Sequence, residues 1–123
     1  MAKILVVDND LDMCQIISDI LKEGGSTVNV SYNGEDALKE IQKNHYDLMI
    51  LDYKLNGISG LVVLEKALQI MPSLKIIMIS AFGSYSTKVK ARELGAVDFI
   101  DKPFDIKILT RSVQDILTRR NTE

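Results

Sequence analysis

Five short, nearly continuous apolar runs are separated by longer stretches with helical periodicity. The runs cover residues 4–7, 27–31, 48–51, 76–79 and 97–100. Apolar runs of this length are typical of strands that are covered on both faces, as they are in parallel sheets. The second run, Thr-Val-Asn-Val-Ser, alternates between polar and apolar residues, so we expect it to lie nearer an edge of the sheet.

The stretches between the runs carry the start and stop signals of helices. Helices are predicted over residues 11–23, 35–43 and 60–70, over a stretch that ends at 94, and over residues 106–117. The expected N-caps of the later four are Asn33 or a residue beside it, Ser59, either Ser84 or Ser86, and Asp105. The order βαβαβαβαβα predicts an α/β fold, with a doubly wound parallel sheet of five strands and helices on both of its faces.

Length and composition indicate one ordinary globular domain. The chain has 123 residues, of which 46% are hydrophobic and 26% are charged. A formal net charge of −2 gives no electrostatic reason to expect nucleic-acid binding. No stretch approaches the ~20 apolar residues of a membrane span, and the start lacks the layout of a signal peptide. We therefore expect a cytoplasmic protein without a membrane partner, in which the single cysteine, Cys14, is buried.

Polar side chains follow four of the five predicted strands. They are Asp8-Asn9-Asp10 after the first strand, Asp52 after the third, Ser80 after the fourth and Lys102 after the fifth. Open parallel sheets bind their ligands outside the carboxyl ends of the strands. We therefore expect these four patches, which are distant in sequence, to meet at one edge of the sheet.

The chemistry of these residues indicates a site for a metal ion and a phosphoryl group. The carboxylates of Asp8, Asp10 and Asp52 would repel one another in a low dielectric unless a cation were bound. Oxygen ligands without histidine or cysteine favour Mg²⁺. Asp52 is the best candidate nucleophile, because a carboxylate can attack phosphorus to form an aspartyl-phosphate. Lys102 would then contribute positive charge and Ser80 a hydrogen bond.

Five stretches of the chain carry a family resemblance. They are Ile-Leu-Val-Val-Asp-Asn-Asp (4–10), Leu-Met-Ile-Leu-Asp-Tyr (48–53), Met-Ile-Ser-Ala-Phe-Gly (78–83), Glu-Leu-Gly-Ala (93–96) and Asp-Phe-Ile-Asp-Lys-Pro-Phe (98–104). Together they resemble the receiver domain of bacterial two-component response regulators. The resemblance implies one domain over residues 1–123, with a flavodoxin-like (βα)5 fold and strand order 2-1-3-4-5. It extends to single receivers of the sporulation-relay type and to receivers of ATPase-type transcriptional activators, so we expect either a single-domain protein or part of a larger regulator.

The resemblance also implies a role for each site residue. Asp52 matches the phosphoacceptor, and Lys102 matches the phosphate-contacting lysine, whose bond to Pro103 is expected to be cis. Ser80 and Phe99 match the hydroxyl and the aromatic ring of the family's switch. The implied metal ligands are Asp8, Asn9, Asp52 and the backbone carbonyl of Lys54, with Asp10 as a compensating ligand.

The chain departs from the pattern of the family in two places. Asn9 stands where a second acid is usual, which removes one negative charge from the pocket, so we expect weaker Mg²⁺ binding unless Asp10 compensates. Leu55-Asn56 replaces the usual Met-Pro pair after the phosphoacceptor.

Some positions are expected to flank the site. Lys54 and Phe82 are expected to lie beside the phosphoryl group and to hinder an attacking water. On the first helix, Met13 and Ile16 lie on the flank of an apolar stripe, beside the loop of residues 8–10. Core packing explains this stripe as readily as a docking patch for a helix bundle that bears a phosphohistidine.

The predicted function is that of a phosphoacceptor in a two-component system or phosphorelay. A histidine kinase or a histidine phosphotransfer protein would phosphorylate Asp52 with Mg²⁺, and the modified state would present a changed surface to an output domain or protein. The protein would catalyse only its own phosphotransfer and dephosphorylation. Two alternatives remain. Asn9 favours a degenerate receiver that acts only as a protein-binding module, and Asp-x-Asp at residues 8–10 is shared with haloacid-dehalogenase-like phosphatases, although Asp12 departs from their motif.

Overall fold

The computed structural model describes residues 2–81 and 84–120, of which residues 119 and 120 are described by their backbone alone. Phe82, predicted to flank the phosphoryl group, therefore lies outside the described residues. The strands are β1 (Lys3–Val7), β2 (Thr27–Ser31), β3 (Leu48–Asp52), β4 (Lys75–Ser80) and β5 (Asp98–Asp101). The helices are α1 (Leu11–Glu23), α2 (Gly34–Lys43), α3 (Gly60–Ile70), α4 (Tyr85–Glu93) and α5 (Ile106–Arg120).

The five strands form one parallel sheet in the order β2-β1-β3-β4-β5, so the predicted fold class and strand order are confirmed. The alternating strand, β2, is an edge strand, as its pattern indicated. The chain winds outward from β1 to β2 and then returns past β1 to β3. The winding direction therefore switches between β1 and β3, and the carboxyl ends of these two strands border the crevice where such sheets bind ligands.

Both faces of the sheet are covered, which explains the nearly continuous apolar runs. Successive residues of a strand point to opposite faces. Ile4 and Val6 accordingly pack in a cluster with α1 and α5, whereas Leu5 and Val7 pack in a second cluster with α2, α3 and α4. The two clusters hold the strands in a fixed register, so the positions of the residues that follow the strands are fixed as well.

The predicted N-caps account for the starts of the helices. The side chains of Asn33, Ser59 and Ser84 each accept a hydrogen bond from a backbone N–H of the first turn that follows. Ser84 rather than Ser86 caps α4, which begins at Tyr85. Asp105 accepts from the backbone N–H of Lys107 at the start of α5.

Most element boundaries agree with the prediction to within one residue, and two of the differences have a clear physical reason. The fifth strand was expected over residues 97–100 but covers Asp98–Asp101, because β4 extends to Ser80, whose register partner is Asp101. The last helix was expected to end at residue 117 and continues to Arg120, since no glycine or proline follows the apolar stripe to end it.

Cys14 is buried in α1, as predicted, and its thiol donates a hydrogen bond to the backbone carbonyl of Asp8 at 3.2 Å. Burial, more than the neighbouring charge of Asp8, raises the pKa of the thiol to about 11, so the group is protonated at neutral pH. In the described part of the chain, no helix combines the length and the apolar character needed to cross a bilayer.

Candidate functional site

Side chains from three strand ends meet at the carboxyl edge of the sheet. The ammonium nitrogen Nζ of Lys102 lies 3.0 Å from Oδ2 of Asp8 and 3.6 Å from Oδ1 of Asp52. Both carboxylates are largely withdrawn from water, with exposed fractions of 2% for Asp8 and 7% for Asp52. Residues that are 44 and 50 positions apart thus form one buried cluster of two acids and one base.

Asp8 is held by hydrogen bonds to its backbone and its side chain. Its N–H donates to the carbonyl of Ser31 on β2, at 3.2 Å, and its own carbonyl accepts from the thiol of Cys14. Its Oδ1 accepts from the backbone N–H of Asp10, at 2.9 Å. Oδ2 is the oxygen that faces Lys102. These bonds fix the carboxylate in one orientation at the end of β1.

Asp52 ends β3, where the parallel ladder with β4 continues through a bond from the N–H of Tyr53 to the carbonyl of Ile79, at 2.8 Å. The backbone N–H of Lys54 donates to the carboxylate of Asp52. The N–H of Lys102 donates in turn to the carbonyl of Ser80, at 2.8 Å, and the Lys102–Pro103 bond is cis, as expected. The sheet ladder therefore aligns the phosphoacceptor candidate, the hydroxyl and the lysine on adjacent strands.

A cavity of about 270 Å³ opens above this cluster. Its lining is formed by Asp8, Asn9, Asp10, Asp52, Lys54, Leu55, Asn56, Ala81 and Lys102. Two residues predicted for the site are not part of this lining. Ser80 ends β4 and is only 1% exposed, and Phe99 lies on β5 beside α4. The structure thus brings together every predicted metal and phosphate residue except the two switch residues.

Burial and mutual repulsion dominate the electrostatics of the cavity. Burial, followed by the charge of Asp8, raises the pKa of Asp52 to about 6, although Lys102 and the backbone N–H of Lys54 oppose this rise. Burial lowers the pKa of Lys102, but the two carboxylates outweigh it and leave the pKa above its ordinary value. Two acids with one base leave an excess of negative charge, which a bound cation would neutralise.

The donor set of the cavity suits a hard divalent cation. Asp8, Asp52, Asn9 and Lys54 all line the cavity. Carboxylate, amide and backbone oxygens, which these residues carry, are the ligands that Mg²⁺ prefers. Within the described residues, no group of three or more His, Cys, Asp or Glu side chains gathers around a common point. The ligand set predicted from the sequence adds the amide oxygen of Asn9 and the backbone carbonyl of Lys54 to two carboxylates, and it stays a prediction.

Asp10 has a structural role of its own, because its Oδ1 caps α1 by accepting from the N–H groups of Asp12 and Met13. That oxygen is engaged at the helix start, while the residue also lines the cavity. Its role as a compensating metal ligand stays a prediction.

The two predicted docking residues differ in exposure. Met13 is partly buried and packs against the core cluster beneath α1, whereas Ile16 is 50% exposed. Leu11, which the sequence analysis did not single out, is more exposed still. Leu11 and Ile16 are thus two separate exposed apolar side chains on α1, the helix that follows Asp8–Asp10.

Two further features were missed from sequence. Asn56 lines the cavity, and its position in the loop after Asp52 was the only available signal. Lys88 of α4 pairs with Asp101 at 2.7 Å and lies over the ring of Phe99, 5.7 Å from its centroid. No sequence pattern indicates this contact, because it joins exposed residues of separate elements.

Known proteins share both the sequence pattern and the fold. The family described as response regulator receiver domain matches residues 4–114. The response regulator ArlR of Staphylococcus aureus is 35% identical over 120 residues, which cover 98% of this chain and 54% of that protein. The transcriptional regulatory protein ZraR of Salmonella typhimurium is 32% identical over 114 residues, which cover 93% and 26%. The chain thus spans about half and about a quarter of the length of these relatives.

Solved structures of response regulators share the fold of this chain. A two-component response regulator from Clostridium difficile superposes with a TM-score of 0.94 at 30% identity, covering 98% of this chain and 99% of that one. A CheY-like response regulator receiver domain protein from Methanospirillum hungatei has a TM-score of 0.96 at 27% identity, covering 99% and 98%. The predicted flavodoxin-like fold is therefore confirmed by comparison as well as by topology.

Replacing Asp52 with Asn should stabilise the metal-free domain at neutral pH. The pKa of Asp52 is about 6 when folded, against an ordinary value of 3.8, so its ionisation opposes folding as the pH rises through this interval. The gain should be about 1–3 kcal/mol at neutral pH and should vanish below the unfolded pKa, where both states are protonated.

Urea unfolding over a pH series measures this gain. Glu65→Gln, which removes an exposed carboxylate from α3, is the matched control and should change little at any pH. A loss of stability in Asp52→Asn at neutral pH would contradict the electrostatic account of the cavity.

Proposed function

Since this chain belongs to the receiver domain family of response regulators, we propose that Asp52 is the residue that accepts the phosphoryl group. The observation that carries the proposal is the meeting of Asp52, Asp8 and Lys102 in one cavity at the switch point of the sheet. Asp52 contributes a buried carboxylate to the lining, at the end of a strand that is fixed on both sides. This is the placement that a nucleophile needs.

In the proposed reaction, an oxygen of Asp52 attacks the phosphorus of a phosphohistidine, and the bond from phosphorus to the imidazole nitrogen breaks. Lys102 already lies between the two carboxylates, so its ammonium needs only a small movement to pair with a phosphoryl oxygen. Ser80, on the adjacent strand, would donate a hydrogen bond to the same group. Bound Mg²⁺, held by Asp8, Asn9, Asp52 and the carbonyl of Lys54, would neutralise charge on the phosphoryl oxygens.

The covalent change would reach the surface through β4 and β5. Ser80 and Phe99 are the proposed switch residues, and α4 is connected to their strands by the pair of Lys88 with Asp101. Asp101 directly precedes Lys102, so a movement of this lysine would change the contact of Asp101 with Lys88. Phosphorylation would then shift an equilibrium between two arrangements of the α4 surface.

The partners follow from the same chemistry. A histidine kinase or a histidine phosphotransfer protein would donate the phosphoryl group in the cytoplasm, and an output domain or a separate protein would receive the signal. We propose that residues 1–123 form the receiver unit and that it does not itself bind nucleic acid. Loss of the phosphoryl group to water would be the only other reaction of the site.

One alternative is favoured by a particular residue. Asn9 removes an acid from the cavity, so a receiver that binds its partner without being phosphorylated stays a candidate. Labelling distinguishes the two functions, and it also tests the phosphatase hypothesis.

Incubation with acetyl phosphate and Mg²⁺, followed by mass spectrometry of the peptides, should find one phosphoryl group, on Asp52. Asp52→Asn should take up none, and chelation of the metal should abolish labelling of the wild type. A label on Asp8 would instead indicate phosphatase chemistry, and an unlabelled wild type would leave only the binding module.

Replacing Asn9 with Asp should strengthen Mg²⁺ binding by roughly tenfold, or about 1.4 kcal/mol, because a charged oxygen replaces a neutral one at a ligand position. Isothermal titration calorimetry measures the affinity. Asn56→Asp is the control, since it adds the same charge at a lining residue that is not among the proposed ligands. Unchanged affinity in Asn9→Asp, or an equal gain in both variants, would contradict the role of residue 9 as a ligand.

Replacing Ile16 with Lys should slow phosphotransfer from a histidine phosphotransfer protein, with a loss of about 1–2 kcal/mol of docking free energy. Ile16 is the better test of the docking patch because Met13 also packs in the core. Labelling by acetyl phosphate should be unchanged, since a small donor needs no docking surface. Ile70→Lys, at the far end of α3, is the control, and equal transfer rates in all three proteins would refute the docking patch.

A further inference from the structure

The start of α3 lies directly on the backbone of the proposed phosphoacceptor. Gly60 is the first residue of this helix, and a Cβ atom added there would lie 2.6 Å from the carbonyl oxygen of Asp52. It would also lie 2.7 Å from Cα and 2.8 Å from the carbonyl oxygen of Tyr53. All three neighbours are backbone atoms, which cannot rotate away as the end of a side chain can.

A hydrogen bond secures the same approach. The N–H of Gly60 donates to the carbonyl of Tyr53, at 2.9 Å, and so closes the loop that connects β3 to α3. This loop contains Lys54, Leu55 and Asn56, which line the cavity. The contact at Gly60 thus holds the backbone of Asp52 and both ends of the loop.

The glycine is required by space rather than by conformation. The glycines with positive φ within the described residues are Gly25, Gly57 and Gly95. Gly60 has an ordinary helical position, where alanine is favoured by intrinsic propensity. Close approach to Asp52 and Tyr53 is therefore the physical reason that a side chain is excluded.

We propose that Gly60 is a positioning residue for phosphotransfer. Its missing side chain lets α3 pack against the peptide between Asp52 and Tyr53, and this contact sets the direction of the Asp52 carboxylate and of the Lys54 carbonyl. The inference rests on the proposed function of Asp52. A methyl group at this position must move the helix or the strand end by several tenths of an ångström, because ordinary contact begins at 3.4 Å. Displacements approaching 1 Å can cost about 10²-fold in rate when reacting groups are misplaced.

The test compares Gly60→Ala with Gly95→Ala. Gly95 precedes β5, at the opposite edge of the sheet from the cavity, and its alanine variant is destabilised by a φ of +113° and by contact with the side chain of Leu68. Both variants should therefore lose stability, whereas only one should disturb the site. Circular dichroism and urea unfolding establish the conditions under which both are fully folded.

Under those conditions, Gly60→Ala should be labelled by acetyl phosphate at least about tenfold more slowly than the wild type. Calorimetry should also show weaker Mg²⁺ binding, because the Lys54 carbonyl is displaced. Gly95→Ala should keep the wild-type labelling rate and Mg²⁺ affinity. Equal labelling and equal Mg²⁺ affinity in the two folded variants would overturn the role of Gly60.

If Gly60→Ala does not fold in buffer, trimethylamine N-oxide, which favours compact states, is added to all samples. Ser59→Ala is the second variant, since it removes the N-cap of α3 and loosens the helix start without adding a methyl group. It should slow labelling in the same direction, and labelling at the wild-type rate would overturn the proposal. A wild type that takes no label contradicts the proposed function, whereas variants that match a labelled wild type contradict only the role of Gly60.

Discussion

One ammonium group between two buried carboxylates is the interaction on which the site depends. Asp8 and Asp52 come from adjacent strands, and at close range in a medium of low dielectric their charges oppose folding. Lys102 follows β5, which is separated from β3 by β4. Its Nζ atom lies within 3.6 Å of both carboxylates and offsets part of that repulsion. The remaining excess of negative charge suits the cavity to a divalent cation and to a phosphoryl group that arrives with it.

The sheet makes this arrangement possible because it is rigid and packed on both faces. Parallel pairing of β1 with β3, and of β3 with β4, places the strand ends side by side, and the two core clusters prevent the strands from sliding. Residues of one site can therefore be far apart in the sequence and still lie side by side. The loops that follow the strands can vary, as the Leu55-Asn56 pair does, while the ends of the strands remain fixed.

Much of this could be predicted from local patterns. The caps Asn33 and Ser59 carry their signal within four residues, and the apolar runs reveal which strands are buried on both faces. The meeting of Asp8, Asp52 and Lys102 follows once the strands are taken as parallel. Contacts between separate elements could not be predicted in this way. The pair of Lys88 with Asp101 and the approach of Gly60 to Asp52 depend on how α4 and α3 seat against the sheet, which no short pattern encodes. For a similar reason β5 ends one residue later than predicted, since its partner strand β4 determines where the pairing stops.

The most direct test of the central claim is a crystal structure of the protein with Mg²⁺ and beryllofluoride, which imitates an aspartyl-phosphate. The account predicts beryllofluoride on a carboxylate oxygen of Asp52, the cation beside Asp8, and the Nζ atom of Lys102 moved from Asp8 to a fluorine. An adduct on another residue, or a Lys102 that keeps its 3.0 Å contact with Asp8 while Asp52 carries the group, would contradict it.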